Sequence, residues 1–404
     1  MQLGERGTVP SLRSSDRATA PVETCELSIV FPCLNEAASI GDCVREALSA
    51  LLQLGIRGEV VVCDNGSTDD SARVASQAGA RIVHQTRQGY GAAVMGGIRA
   101  AEGEYIVMLD GDGSYDLTAL RPMIEALRNG ADLVMGNRFR GHLAPGSMPW
   151  AHRYIGSPVL SGLLNLLFGT SVGDAHCGLR AFTREAYRRM ALKTTGMEFA
   201  SEMIARAARI KLNIVEVPVD YHPRFGQSKL RRFRDAWRHV RFLLMYSPTW
   251  LYLAPSALLF VVGFGLLITL AFSPFQAFGR SWDMHLAAVA SMLCVLGTQI
   301  AWLGISARTV AVIHGFDPED RFLEYFFRVF TLERGLVLAF AVLLAGAGIG
   351  AFVIIQWAAT GFTTLDAIRP VLLAVTLAIV GVQSTFNAFF LSLLSVETRA
   401  TPLP

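Results

Sequence analysis

Charge is scarce in this chain. Only 17% of its 404 residues are Asp, Glu, Lys or Arg, while 52% are hydrophobic; a soluble globular chain carries about a quarter charged residues. The shortage is local. Residues 25–245 keep the mixture of an α/β domain, and nearly all the apolar excess follows Ser247. The two signs nearly cancel, 36 basic against 33 acidic side chains, leaving +3. So small an excess argues against a nucleic-acid partner. Cysteine is sparse as well. Cys25, Cys33, Cys43, Cys63, Cys177 and Cys294 form no C-x-x-C pair and no disulfide-like framework, which suits a reducing cytoplasm. Residues 1–24 are polar and lack an apolar core, so they read as a disordered lead and not a secretory signal.

What is present falls into two patterns. Short β-rich runs at 27–32, 59–63, 81–84, 105–109 and 133–136 alternate with helical spacing. Ile40, Val44, Leu48, Leu51 and Leu52 mark the first helix, and 71–77, 92–101 and 117–127 mark others. Near-continuous apolar strands alternating with helices predict a mostly parallel sheet covered on both faces. Ligands of such sheets sit at the carboxyl ends of the strands.

The second pattern is four uncharged apolar runs, 250–272, 286–306, 335–357 and 370–396. Each is long enough to span a bilayer, which takes about 20 residues. Basic residues set the expected orientation. Lys229, Arg231, Arg232, Arg234, Arg238 and Arg241 precede the first run, and Arg308, Arg321, Arg328 and Arg334 follow the second. The other two loops carry only Arg280 and Arg369. This predicts a multi-pass protein of the cell membrane, bacterial inner or plasma membrane, with the α/β domain and both termini in the cytoplasm. Residues 229–246 interleave basic residues with Phe233, Trp237, Val240, Phe242 and Leu243 and read as an amphipathic interfacial helix. The expected divisions are therefore 1–24, 25–228, 229–246, 247–396 and a cytoplasmic tail 397–404. Four spans also suffice for helix–helix assembly into a homo-oligomer.

Each expected strand end carries a polar motif. Pro32-Cys33-Leu34-Asn35-Glu36 ends the first, and Asp64-Asn65-Gly66-Ser67-Thr68-Asp69 ends the second. Ser67 followed by Asp70 also reads as a capping box. Arg87-Gln88-Gly89-Tyr90-Gly91 opens a helix, where backbone amides can meet a phosphate. Asp110-Gly111-Asp112 follows the fourth strand. Two carboxylates at that spacing offer hard oxygens to Mg²⁺ or Mn²⁺, leaving other positions for phosphate and water.

In this order, P-x-x-N-E, D-x-G-S-T-D, G-x-G-A-A and D-x-D, the chain resembles the family 2 glycosyltransferases over residues 25–230. The resemblance implies an α/β fold: a GT-A, Rossmann-like nucleotide-sugar-binding domain, here followed by a four-helix transmembrane domain. It assigns Pro32, Asn35, Glu36, Asp64, Asp69, Gly89, Asp110 and Asp112 to the nucleotide, and Asp110 and Asp112 to the metal. Further on stand Gly136-Asn137-Arg138-Phe139, Arg153 and Ser157 at an i, i+4 spacing, Asp174-Ala175-His176-Cys177-Gly178-Leu179-Arg180, and Arg224-Phe225-Gly226-Gln227-Ser228-Lys229. These resemble the polyprenol-phosphate hexose synthases, the dolichol-phosphate mannose and glucose synthase group. By that resemblance Arg138, Arg153 and Ser157 hold the lipid phosphate, and Arg224 and Lys229 meet the donor diphosphate. Asp112, Arg138, Asp174, Arg224 and Lys229 form the catalytic set, Asp174 in an orienting or electrostatic role. Ser114 stands where mannose synthases often carry a metal-binding Gln, which weakens the case for GDP-mannose against UDP-glucose. His142, His152, His176 and His222 receive no role.

A physical argument favours a phosphate acceptor. A sugar hydroxyl needs a base to remove its proton. A lipid phosphate, with a second pKa of about 6, is largely dianionic near neutrality and needs only cations to position it. The expected reaction is an inverting hexose transfer from a nucleotide sugar, UDP-glucose or GDP-mannose in type, to polyprenyl phosphate. The product would serve later extracytoplasmic transfer into cell-envelope glycan. Two alternatives are a processive membrane polysaccharide synthase and a non-catalytic lipid-binding scaffold. The first lacks its Q-x-x-R-W motif here, and the second would have no use for intact Asp110, Asp112, Arg138 and Arg224.

Overall fold

The computed structural model describes residues 25–226, 232–272, 275–277, 280–282, 284–313, 321–362 and 367–400. The expected lead 1–24, Lys229 and the last residues of the expected tail lie outside them. Seven strands form one sheet: β1 (Leu27–Cys33), β2 (Gly58–Asp64), β3 (Arg81–His84), β4 (Tyr105–Met108), β5 (Leu133–Asn137), β6 (Arg180–Thr183) and β7 (Ile214–Pro218). A separate hairpin pairs β8 (Phe275–Ala277) with β9 (Arg280–Trp282). The helices are α1 (Ile40–Leu54), α2 (Ser71–Gln77), α3 (Tyr90–Ala100), α4 (Leu120–Arg128), α5 (Ser157–Phe168), α6 (Arg184–Met190) and α7 (Phe199–Arg209). Beyond them come α8 (Arg232–Met245), α9 (Ala254–Phe272), α10 (Met284–Ile313), α11 (Arg321–Val329), α12 (Leu332–Ala359) and α13 (Ile368–Ala400).

The chain divides into two compact units that interleave in sequence. The sheet unit takes the described residues within Met1–Met148, Cys177–Ala191 and Asn213–Gln227; the other takes those within Pro149–His176, Leu192–Leu212 and Ser228–Pro404.

In the sheet unit the strand order is β3-β2-β1-β4-β6-β5-β7. All pairings are parallel except those of β6, which runs antiparallel to β4 and β5. The expectation of a Rossmann-like α/β domain holds, with one reversed strand in the sheet. Leu27, Ile29, Val30 and Phe31 of β1 and Val61 and Val62 of β2 are wholly buried, as strands covered on both faces must be. Helix α1 buries Ile40, Val44, Ala47 and Leu51 at helical spacing and ends at Gly55, whose left-handed backbone returns an N–H to the Leu51 and Leu52 carbonyls. Residues 117–127 are not one helix: a 3₁₀ turn, Leu117–Ala119, capped by Asp116, precedes α4. The capping box is also corrected. Asp70 stands at the N-cap of α2 without a side-chain cap bond, and the Ser67 hydroxyl instead accepts the Asn35 N–H at 3.0 Å.

In the second unit, a π turn at His152–Gly156 leads into α5, and another at Thr249–Leu253 leads into α9. Among the described residues, four helical runs are long and apolar enough to cross a membrane: Thr249–Ala271, Met284–Ile313, Leu332–Ala359 and Ile368–Leu394. Helix α9 packs on α10, α12 on α13, and α10 on α13. Small residues make the close approach possible, since a Cβ on Gly297 would lie 2.6 Å from the Phe260 nitrogen. Ser291 and Thr376 hydroxyls meet at 2.6 Å, and the Trp302 indole donates to Ser384 at 3.2 Å, tying α10 to α13. Helix α8 covers most of the expected interfacial helix. Its Phe242 and Leu243 are buried, where it packs beside α5 and α7, while Trp237 and Met245 are exposed.

Candidate active site

Because β1, β2, β3, β4, β5 and β7 all point the same way, the segments after them gather at one edge of the sheet. That edge carries Asn35 and Glu36 after β1, Asp64 and Asp69 at and after β2, Gly89 after β3, Asp110 and Asp112 after β4, Arg138 after β5 and Arg224 after β7. Pro32 is the penultimate residue of β1, in register with Cys63.

The first two loops are stapled to one another. The Asn35 carboxamide oxygen accepts the Thr68 N–H at 2.7 Å, with Asn35 itself held at a positive φ of 53°. Glu36 N–H donates to Ser71 Oγ at 2.8 Å, and Ala37 N–H to Asp69 Oδ2 at 3.2 Å. Asp69 also accepts the Ser71 N–H at 3.0 Å, so its carboxylate shapes the cradle from within. Asp64 is buried, accepts the Ser67 N–H at 3.1 Å and lies 3.4 Å from His84 Nδ1. Asn65, which sequence reasoning passed over, ties the glycine loop down. It donates to the Gln85 and Arg87 carbonyls at 3.0 and 2.8 Å and accepts the Gly89 N–H at 2.7 Å.

The acidic pair follows β4. Tyr90, the first residue of α3, donates its hydroxyl to Asp110 Oδ1 at 3.2 Å. Burial, and then the Asp110 charge, hold that hydroxyl well above its ordinary pKa, so it stays a donor. Burial, and next the charge of Asp112, push the Asp110 carboxyl up, against the pull of Tyr90, Arg224 and Arg138. Asp112 is buried. Its Oδ1 accepts both the N–H and the hydroxyl of Ser114, at 3.1 and 2.5 Å, and its Oδ2 is bound by the Arg224 guanidinium. Ser114 thus orients Asp112.

The loop carrying Arg224 is pinned along the same segment. His222 N–H donates to the Ser114 carbonyl at 2.8 Å and Phe225 N–H to the Asp112 carbonyl at 2.9 Å. Tyr115 and Tyr221 form an isolated bridge, with their rings edge to face at 5.1 Å. The Tyr115 hydroxyl accepts the Gly178 N–H at 2.7 Å, and a Cβ on Gly178 would stand 2.5 Å from Asp110 Oδ2, so any larger residue would have to displace that carboxylate. Arg138 is buried with its guanidinium 5.1 Å from the Tyr221 ring centre. Sequence reasoning missed Tyr90, Tyr115, Gly178 and Tyr221 as parts of this cluster.

Arg153, Ser157 and Asp174 belong to the second unit. Arg153 lies in the π turn, exposed, 5.3 Å from the Tyr154 ring centre, and Ser157 starts α5. Asp174 is fully buried, and its loop is fastened to α5 where Ala175 N–H donates to Ser161 Oγ at 3.0 Å. His176 packs against His239 with ring centres 4.7 Å apart. Glu202 receives the Lys193 and Thr194 N–H groups at 3.1 and 2.8 Å, a structural use.

Does the acidic pair suit a divalent cation? Among the described residues no group of three or more His, Cys, Asp or Glu is placed to hold a metal ion by itself. The donor set fits a cation shared with a ligand: two hard carboxylates in like-charge contact, one already carrying a cationic guanidinium, with Gly178 leaving room beside Asp110.

Residues 28–191 match the model of Glycosyl transferase family 2, and residues 305–395 match the Glycosyltransferase family 2 C-terminal transmembrane region. The Low-salt glycan biosynthesis hexosyltransferase Agl6 of Haloferax volcanii is 38% identical over 381 residues, covering 94% of this chain and 91% of that protein. The Dolichyl-phosphate hexose transferase of the same organism is 31% identical over 209 residues, 52% of this chain and 88% of that protein. Among solved structures, glucosyl-3-phosphoglycerate synthase from Mycobacterium tuberculosis, in complex with Mn2+, uridine-diphosphate and glucosyl-3-phosphoglycerate, aligns with 54% of this chain and 78% of its own. At 22% identity and a TM-score of 0.43 that likeness is too distant to bear on chemistry. The chain belongs to the family 2 glycosyltransferases and is a multi-pass membrane protein.

Proposed function

We propose that this family 2 glycosyltransferase moves a hexose from a nucleoside diphosphate sugar to a polyprenyl phosphate at the membrane surface, with inversion at the anomeric carbon. One observation carries the reading: the Asp110–Asp112 pair, with Arg224 bound to Asp112, lies at the carboxyl edge of the sheet in a chain with four membrane-length helices. The similarity to the Dolichyl-phosphate hexose transferase of Haloferax volcanii supports the acceptor class.

The cradle of Asn35, Glu36, Asp64, Asp69 and Gly89, with Pro32 near the end of β1, takes the nucleoside. Asp110 and Asp112 would hold Mg²⁺ or Mn²⁺, which when bound supplies charge neutralisation to the diphosphate. An acceptor phosphate oxygen attacks the anomeric carbon as the bond to the diphosphate oxygen breaks, and the electron pair leaves with the nucleoside diphosphate. Arg224 answers the charge that develops there; Lys229 is assigned the same task by its motif. Arg138, Arg153 and Ser157 are each assigned to the acceptor phosphate by their motif positions, and guanidinium forks fit phosphate. Asp174 orients rather than accepts a proton, since the dianionic acceptor has none to give up. The catalytic unit would face the cytoplasm of the cell membrane.

A panel of nucleotide sugars offered to the full chain with polyprenyl phosphate and Mg²⁺ or Mn²⁺, read by mass, tests this. One donor should yield a polyprenyl-phosphate hexose, and Asp112→Ala should cut the rate at least about 100-fold. A hydroxyl-linked or polymeric product, without lipid-phosphate sugar, would sink the proposal.

A further inference from the structure

Within the membrane unit, a cavity of about 220 Å³ is lined by Leu167 and Phe168 at the end of α5, Arg209 at the end of α7, Thr249 and Trp250 at the entry of the first span, and Arg308 near the end of the second. Pockets for drug-sized ligands run from about 300 to 1,000 Å³, so this one suits a smaller group than a nucleotide sugar. Both arginines are oriented by neighbours. Arg209 donates to the Tyr246 carbonyl and lies 5.5 Å from the Phe168 ring centre. Arg308 donates to Thr249 Oγ1 at 2.7 Å and lies 4.6 Å from the Phe322 ring centre. Two like charges beside one cavity favour an anion between them, and guanidinium forks held in place favour phosphate.

The same unit shows where such a phosphate comes from. Trp150 just before the π turn, Tyr154 and Ile155 in it, and Val159 and Leu166 on α5 are exposed, and Ile155, Val159 and Leu166 share one helical face. The cavity has an apolar side, Leu167, Phe168, Pro248 and Trp250, beside its polar one, and its lining reaches the first residues of a membrane span. A soluble phosphate has no use for such walls; a lipid, polar at one end and apolar along its chains, matches both.

We propose that this cavity binds the phosphate headgroup of an anionic bilayer phospholipid, at a second anion site independent of the donor and acceptor chemistry above. Basic pockets between membrane helices hold headgroups in this way. The bound lipid would clamp α5 and α7 to the entry of the first span.

The test titrates phosphatidylglycerol, and separately phosphatidylcholine, into the full chain in detergent, read by native mass spectrometry. Phosphatidylglycerol should bind in preference, Arg308→Gln should weaken it at least about tenfold, and Arg308→Lys should weaken it less. Arg209→Gln should act likewise. It also removes the bond to the Tyr246 carbonyl, so if that variant does not fold, the Arg308 pair decides. Equal binding of the two lipids, or no change in Arg308→Gln, overturns the proposal. So does displacement by inorganic phosphate at matching concentration, which would make the site one for a soluble anion. Stronger competition by polyprenyl phosphate would assign the cavity to the acceptor and overturn it too.

Discussion

Asp112 carries two kinds of neighbour, and they make opposite demands. Ser114 holds one carboxylate oxygen in place, while Arg224 neutralises the other. A cation arriving at Asp112 must therefore compete with a guanidinium. Arg224→Gln should tighten Mn²⁺ binding measured without donor, by about tenfold, while slowing transfer about 100-fold because the leaving diphosphate loses its partner. Calorimetry and turnover on one preparation check both; metal affinity that falls together with turnover would refute the competition. Gly178→Ala should abolish donor-dependent metal binding, since its Cβ would come within 2.5 Å of Asp110 Oδ2. Unchanged Mn²⁺-dependent nucleotide binding in that variant would show that the contact relaxes freely. The two aspartates were legible in the sequence because their chemistry is local, a carboxylate pair just past a strand. Gly178 was legible only as part of a motif, because its partner Tyr115 is 63 residues away and the clash with Asp110 exists only in three dimensions. Arg224 is 112 residues from Asp112, and no spacing rule reaches so far.

At the scale of elements, β1, β2, β4 and β5 could be read because each is a near-continuous apolar run ended by polar residues, and β3 because its Ile-Val pair stands between polar residues. β6 and β7 could not. β6 is four residues long, begins with a fully buried arginine, Arg180, and enters antiparallel between β4 and β5, so nothing in its composition announces a strand. Ser67 was misread because a cap and a loop staple use the same hydroxyl, and only the position of Asn35 decides between them. The sheet also depends on polar links that composition hides. Glu59, on β2, accepts Ser28 Oγ and the Glu102 N–H, both at 2.7 Å, and the Arg81 Nε at 3.0 Å. Burial would raise its pKa, yet these donors outweigh it and hold the carboxyl below its ordinary value of 4.5. A depressed carboxyl stabilises the fold above the unfolded pKa, and the effect is lost as pH falls through the folded one. Glu59→Gln should thus cost about 1–3 kcal/mol at neutral pH, with the gap to the parent narrowing once pH falls below the ordinary value of 4.5 and closing as it passes through the lower folded one. Urea melts at pH 7 and pH 4 measure it, and a pH-independent gap would place the cost in packing instead of charge.

For the whole molecule, the boundary between soluble-looking and membrane-like sequence is not the boundary between compact units. Composition changes near Ser247, but α5 and α7 belong with the spans. The physical cause is α8. It buries Phe242 at 6% and Leu243 at 0% exposure beside α5 and α7, its His239 Nδ1 meets Ser201 Oγ of α7 at 2.9 Å, and Tyr246, just beyond it, accepts the Arg209 guanidinium. A fragment ending at residue 226 keeps α5 and α7 but removes everything they pack on in α8. Losing two fully buried apolar side chains forfeits about 3–6 kcal/mol, which for a domain of this size is a fall of roughly 10 °C or more in melting temperature. A fragment ending at 246 keeps those contacts and should melt well above the shorter one in the same detergent, followed by tryptophan fluorescence. Equal melting of the two would mean that α5 and α7 stand without α8, and that composition had marked the division correctly after all.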